Sequence, residues 1–143
     1  MTVQPPSAST NSLDWRTILV RPLRQFAAWL VIVLTVTWAG YPGVVCITPL
    51  AWLIALRLGI DVVNHSTSQT ARRRVQEAAL AGAWFGLQQG LLFWGIVPWL
   101  GPIQQDEQVS VWVIGVGMLV MGMLLAAGLA AFTAGMWEKR RTG

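Results

Sequence analysis

The densest group of reactive side chains in this 143-residue chain is Asp61, Asn64, His65, Ser66 and Gln69, followed directly by Arg72, Arg73 and Arg74. A carboxylate, an imidazole and a hydroxyl so close together could serve acid–base or nucleophilic chemistry, but each stands without the partner that such chemistry needs. His65 is the only histidine and Cys46 the only cysteine. No second imidazole or thiolate therefore completes a metal site within one chain, and no internal disulfide is open to it. Paired carboxylates, a phosphate loop and a dinucleotide fingerprint are all absent. Cys46 reads as a buried structural thiol. A haem or chlorophyll ligated by His65 is conceivable, but its place outside the apolar runs argues against it. The expectation is a non-enzymatic chain without metal or cofactor. The cluster from Asp61 to Arg74 instead suits contact with a partner or with lipid headgroups at a membrane face, Arg72, Arg73 and Arg74 attracting anionic lipid. Its plainer reading is a capped, solvated turn.

Composition sets the surroundings of that cluster. The chain is 55% apolar and only 11% charged, with a mean hydropathy of +0.55, too apolar for a soluble domain of this size. Nine tryptophans are present, and tryptophan favours the membrane–water boundary. A net charge of +4 and a pI near 10.7 raise the question of nucleic acid. The basic residues, however, fall in three short clusters separated by apolar runs, which is a topology signal rather than a basic groove. Nucleic acid is not an expected partner; the lipid bilayer is.

The elements that position the cluster follow from apolar run length. Residues 1–12 (MTVQPPSASTNS) have little to bury and are expected to be a disordered tail; they lack the charged and apolar regions of a signal peptide. Residues 13–25 mix apolar side chains with Arg16, Arg21 and Arg24, which suits a basic interfacial segment anchored by Trp15, or a short cytoplasmic linker. The run from Phe26 to Ile60 holds one charge, Arg57. As a single helix it would reach about 52 Å, against a hydrocarbon core of roughly 30 Å. Gly40-Tyr41-Pro42-Gly43 offers a turn, so two spans are predicted, at about 24–40 and 43–59. Pro49 should kink the second, leaving a carbonyl near Val45 short of its donor. Ser66, Thr67 or Ser68 is available to cap a third span at about 75–100, interrupted by Pro98 and stopped by Gly101 and Pro102. After the acidic loop IQQDEQ, a fourth span at about 109–137 exceeds the core thickness and should tilt. A basic tail, 138–143, ends the chain. The predicted fold is all-α: a polytopic membrane domain over 26–137 with four transmembrane helices arranged as two hairpins.

Threading those spans puts all ten Lys and Arg residues on one side, before span 1, around the connection between spans 2 and 3, and after span 4. The other side has only the uncharged turn and Asp106 and Glu107. Basic loops stay in the cytoplasm, so both termini are expected there, in a plasma membrane, most simply a bacterial inner membrane. A three-span chain would place one arginine cluster outside. Trp38, Tyr41, Trp99 and Trp112 then mark the outer boundary, and Trp15 and Trp137 the inner one.

Membrane helices associate where small residues let backbones approach. Ala78, Gly82, Gly86 and Gly90 recur every four residues in span 3, as do Gly122, Ala126, Ala130 and Ala134 in span 4. The two ridges can face each other in a hairpin, or one can serve as an oligomerisation face. Gln88 and Gln89, with Thr35, Thr37 and Thr48, are the polar residues deepest in the spans; they line a polar path or hydrogen-bond between helices. No ionisable residue sits at mid-membrane, which argues against proton-coupled transport and voltage sensing.

Pro49 to Leu56 (PLAWLIAL), then Val62-Val63-Asn64-His65, then Gln69-Thr70-Ala71 leading into a long third span, resembles the four-span family that contains the membrane core component of the chloroplast inner-envelope import machinery and many uncharacterised bacterial relatives. The His-to-Gln interval is one residue longer here, and Thr70 separates Gln69 from Ala71. The likeness covers residues 26 to 137 in topology and implies a four-helix fold with a translocation or assembly role. The expected function is accordingly a non-catalytic membrane component that packs with itself or a larger complex. The alternative is an oligomeric channel or transporter for a small neutral solute.

Overall fold

The computed structural model of the chain describes residues 13–39, 43–96 and 108–143. These residues form four helices, α1 (Trp15–Trp38), α2 (Gly43–His65), α3 (Ala71–Ile96) and α4 (Gln108–Thr142), with no strand among them. The expected tail at 1–12, Gly40 to Pro42, Trp99 and the acidic loop lie outside the described residues, as do the side chains of Thr37, Cys46, Thr48 and Trp112. The long apolar run divides into two helices, α1 ending at Trp38 and α2 starting at Gly43.

Each helix extends beyond the expected span at its polar end, and local hydrogen bonding explains why. The 13–25 segment is not separate from the first span: Arg16, Arg21 and Arg24 ride on the opening turns of α1, which continues through the buried Pro22. Asp14 caps this helix. Its carboxylate accepts from the Thr17 N–H at 3.1 Å and the Thr17 hydroxyl at 2.8 Å, satisfying a donor that the helix start leaves free. Helix α2 continues through Asp61 and Asn64 to His65. At the start of α3 the Thr70 carbonyl accepts from the N–H groups of Arg73 and Arg74 at 3.0 and 3.2 Å. Thr70 therefore holds the cap position, rather than Ser66, Thr67 or Ser68. Helix α4 runs on to Thr142, so Glu138 to Arg141, expected as a tail, are helical.

Helices α3 and α4 form the closest pair, α2 packs on both, and α1 lies against α2 and α3; α1 and α4 share no contact among the described residues. The bundle is thus a rhombus with α1 and α4 at its outer corners. Its core joins Ala55, Leu58, Val62 and Val63 of α2 to Ala78, Ala81 and Phe85 of α3 and to Ala126 and Ala134 of α4. That core sits in the half of the bundle nearest the α2–α3 connection.

Close approach of backbones accounts for the small residues. A Cβ on Gly86 would lie 2.7 Å from the Gly122 carbonyl oxygen and 2.8 Å from the Met123 Cα, and one on Gly82 would run into the Ala126 carbonyl. Gly90 meets the Leu119 side chain instead, and Gly59 brings α2 against Ala130 and Thr133 of α4. The Thr133 hydroxyl lies 3.0 Å from the Leu56 carbonyl across the helix pair, and 3.0 Å from the Leu129 carbonyl of its own helix. Its single proton serves one of them at a time.

Two helices are long and apolar enough to cross a membrane, by the segments Trp15–Thr35 of α1, mean hydropathy 1.5, and Gly115–Thr142 of α4, mean hydropathy 2.1. Most of the α4 segment is not buried. Its buried stripe is Ala126, Ala130 and Ala134, while Leu124, Phe132, Met118 and Met121 are exposed.

The two ridges make a direct test. Gly82→Ala should destabilise the protein by about 1–3 kcal/mol, because the added methyl meets backbone that cannot rotate away. Gly122→Ala, whose Cβ would enter open space, should be neutral or stabilising by about 0.5–1 kcal/mol, since alanine favours helix. Thermal melting in one detergent compares them, and equal melting temperatures would contradict the α3–α4 packing.

Candidate functional site

Four helix ends meet at the α2–α3 connection: the starts of α1 and α3 and the ends of α2 and α4. All four acidic residues of the described segments, Asp14, Asp61, Glu77 and Glu138, lie there, and the ten basic residues lie in the same half of the bundle. Local sequence explains their gathering only in part, because the ties that hold them are long-range.

Glu77 occupies the centre. It is fully buried, one helical turn before Ala81 on the face that α3 turns inward. Its Oε1 accepts from the Asp14 backbone N–H at 3.0 Å and from the Ser68 hydroxyl, and its Oε2 accepts from the Ser66 hydroxyl. One carboxylate therefore fastens the start of α1 and both serines of the connection to α3. A buried carboxylate needs this kind of satisfaction, since an unpaired one carries a large desolvation cost. Thr67 closes the ring by donating to Asp14 Oδ2 at 3.2 Å. Burial pushes the Asp14 carboxyl up, but hydrogen bonds from Thr17 and Thr67 outweigh it and hold the group below its ordinary value.

A second tie joins α3 to α4. Arg74 donates from Nε to Glu138 Oε1 at 2.6 Å and from Nη2 to Oε2 at 2.9 Å, a bidentate pair. Its Nη1 reaches the Ser68 carbonyl at 2.7 Å. The Arg74 guanidinium holds the Glu138 carboxyl below its ordinary range against the opposing effect of burial; Glu138 in turn raises Arg74. On α2, Asp61 pairs with Arg21 of α1 at 3.2 Å and lies 3.3 Å from His65 Nδ1. Asn64 Oδ1 accepts from Trp137 Nε1 at 3.1 Å and from Arg141 at 3.0 Å.

The residues expected at a headgroup or partner contact thus divide. Asp61, Asn64 and Arg74 are engaged within the protein, Arg73 is half-buried, and Gln69 and Arg72 are exposed. His65 is exposed beside Asp61, where its Nδ1 lies 2.9 Å from the Asp61 carbonyl. These groups form one network across the four helix ends. Among the described residues no group of His, Cys, Asp and Glu is arranged to hold a metal ion.

The small residues converge elsewhere, along the α3–α4 seam: Ala78 and Gly82 are buried against Ala126, Ala130 and Ala134, and Gly86 against the backbone at Gly122. Further along α3, the Gln88 Oε1 and Gln89 Nε2 atoms are buried and without a hydrogen-bond partner, as is Trp29 Nε1 on α1. Thr35 bonds back to the Val31 carbonyl of its own helix and reaches neither glutamine.

Glu77 and Glu138 escaped the sequence reading. Glu77 did leave a signal: it shares a helical face with Ala78, Ala81 and Phe85, and a lone acid on an inward stripe demands partners. The Asp14-to-Thr17 spacing is likewise a capping signature.

The network makes two expectations. Arg74→Ala leaves Glu138, whose side chain is 7% exposed, without its partner and should cost about 1.5–3 kcal/mol in a detergent melt. The lowered carboxyls of Asp14 and Glu138 contribute stability that is complete above the unfolded carboxylate range, about pH 4–4.5, and is lost as pH falls through their folded values. The melting temperature should therefore hold from neutral pH to about 5 and fall below about 4, with a smaller acid-side fall in Glu138→Gln.

No protein-family model matches the chain, and no curated protein or solved structure matches it.

Proposed function

We propose that this chain is a multi-pass membrane protein with four transmembrane helices and both termini in the cytoplasm, acting as a non-catalytic assembly or translocation-related component. The observation that carries the membrane reading is the inside-out distribution on α4, which buries alanines and exposes leucine, methionine and phenylalanine. In water that arrangement would leave a large apolar surface unsatisfied. In lipid it is the expected one, because chains as apolar as leucine side chains solvate the outside while small residues pack the seam. The orientation is supported by the position of all ten basic residues in the half of the bundle where the helix termini meet. The translocation-related element rests on the resemblance at the α2–α3 connection. The non-catalytic element is supported by a polar cluster whose groups bind one another.

Fractionation and mass measurement test the reading. The protein should stay with membranes through alkaline carbonate, and in mild detergent its particle should exceed one chain or carry a co-purifying protein. A strictly monomeric particle with nothing bound would remove the assembly role. In a Cys46→Ala background, Thr142→Cys should be protected from an impermeant thiol reagent applied to intact cells; ready labelling would reverse the orientation.

One observation favours a second reading, an oligomeric path for a small neutral solute: Gln88 Oε1 and Gln89 Nε2 are buried without partners. Liposome flux that survives in Gln88→Leu, Gln89→Leu would eliminate it.

A further inference from the structure

Resting on the membrane reading, we infer that α1 carries a binding site for one anionic phospholipid, its phosphate held by Arg16, Arg21 and Arg24 and an acyl chain laid along the exposed face below. The arginines line an open concavity of about 260 Å³ together with Thr17 and Val20. Arg16 and Arg24 are exposed and have no acidic partner among the described residues. Arg21 is oriented by Asp61, which takes only its Nη1 at 3.2 and 3.3 Å. The other guanidinium donors of Arg21 remain for a ligand. Three cations around one concavity, one of them held in place, suit a phosphate.

The same helix face then changes character. Arg16, Val20 and Arg24 are followed at helical spacing by Val31, Leu34 and Trp38, which are 63%, 59% and 91% exposed. This stripe is amphipathic along its length rather than around the helix: cationic for its first turns and apolar afterwards. A soluble phosphate compound would use only its first part. Fourteen residues lead from Arg24 to Trp38, about 21 Å of helix, enough to cover one leaflet's half of the roughly 30 Å hydrocarbon core. One leaflet's acyl chain therefore matches the apolar part when the phosphate occupies the basic part. Arginine stems are long enough for the heads of Arg21 and Arg24 to reach that level. The exposed cations Arg72 and Lys139 also have exposed apolar residues at helical spacing along their helices, Leu80 and Leu91 on α3 and Phe132 and Leu125 on α4, but neither cation lines the concavity.

Native mass spectrometry of the detergent-purified full chain, given equimolar phosphatidylglycerol and phosphatidylcholine, tests the site. The wild type should retain phosphatidylglycerol selectively. Arg16→Gln, Arg24→Gln should lower that retention about tenfold, and the charge-matched Arg72→Gln, Lys139→Gln should leave it unchanged. Equal losses in the two double variants would reduce the effect to diffuse charge and overturn the site. So would equal retention of the two lipids, or displacement of the lipid by millimolar glycerol 3-phosphate. A lipid-free dimer that Arg16→Gln, Arg24→Gln dissociates would give the face to a second copy instead. Release of the protein by alkaline carbonate would bring down the membrane reading itself, an outcome distinct from loss of selectivity in a protein that stays in the membrane.

Discussion

Glu77 cannot be left alone. Its carboxylate is shut away from solvent, where a charge without partners would be too costly for the fold to carry, and three donors from two other parts of the chain converge on it. The Asp14 backbone N–H fixes where α1 begins, while Ser66 and Ser68 fix the path between α2 and α3. Once that connection is set, the Ser68 carbonyl is in place for Arg74, and Arg74 is in place for Glu138 at the end of α4. Satisfying one buried acid thus aligns four helix ends.

The remainder of the bundle obeys a different constraint. In the lipid surroundings proposed above, burying a large residue gains little, and contact between backbones matters more. Gly82 and Gly86 of α3 accept the carbonyls of α4 where any side chain would collide. The core beside the polar end is accordingly rich in alanine, with Phe85 and Leu58 as its largest apolar members. Gly122 shows that the asymmetry is real: its carbonyl is needed at the seam, but its missing side chain is not.

Much of the fold was legible in run length and spacing. A 35-residue apolar run with glycines and a proline in its middle had to be divided, and α1 and α2 do divide there. The four-residue rhythm of small residues pointed to a close helix pair, and α3 and α4 supply it, although the rhythm alone left an oligomer face open. Helix ends were harder to read. Hydropathy falls at the first polar residue, whereas α2 continues to His65 and α4 to Thr142 because Asp61, Asn64 and Glu138 find partners on other helices. Those partners lie 40 to 77 positions away in the chain, beyond any local pattern. Asp14 and Glu77, 63 positions apart, were invisible as a pair for the same reason.

The ties at the polar end also impose an order in time. The Asp14 amide that begins α1 is made early, but the carboxylate that receives it arrives only with α3, and Arg74 must wait a further 64 residues for Glu138. While the chain emerges from the ribosome, the first hairpin stands with its polar end unfinished, held among these connections by the Arg21–Asp61 pair and the Thr67–Asp14 hydrogen bond alone. Closure is completed by the last turns of α4, so a chain stopped before Glu138 would have every apolar segment yet lack its final fastening.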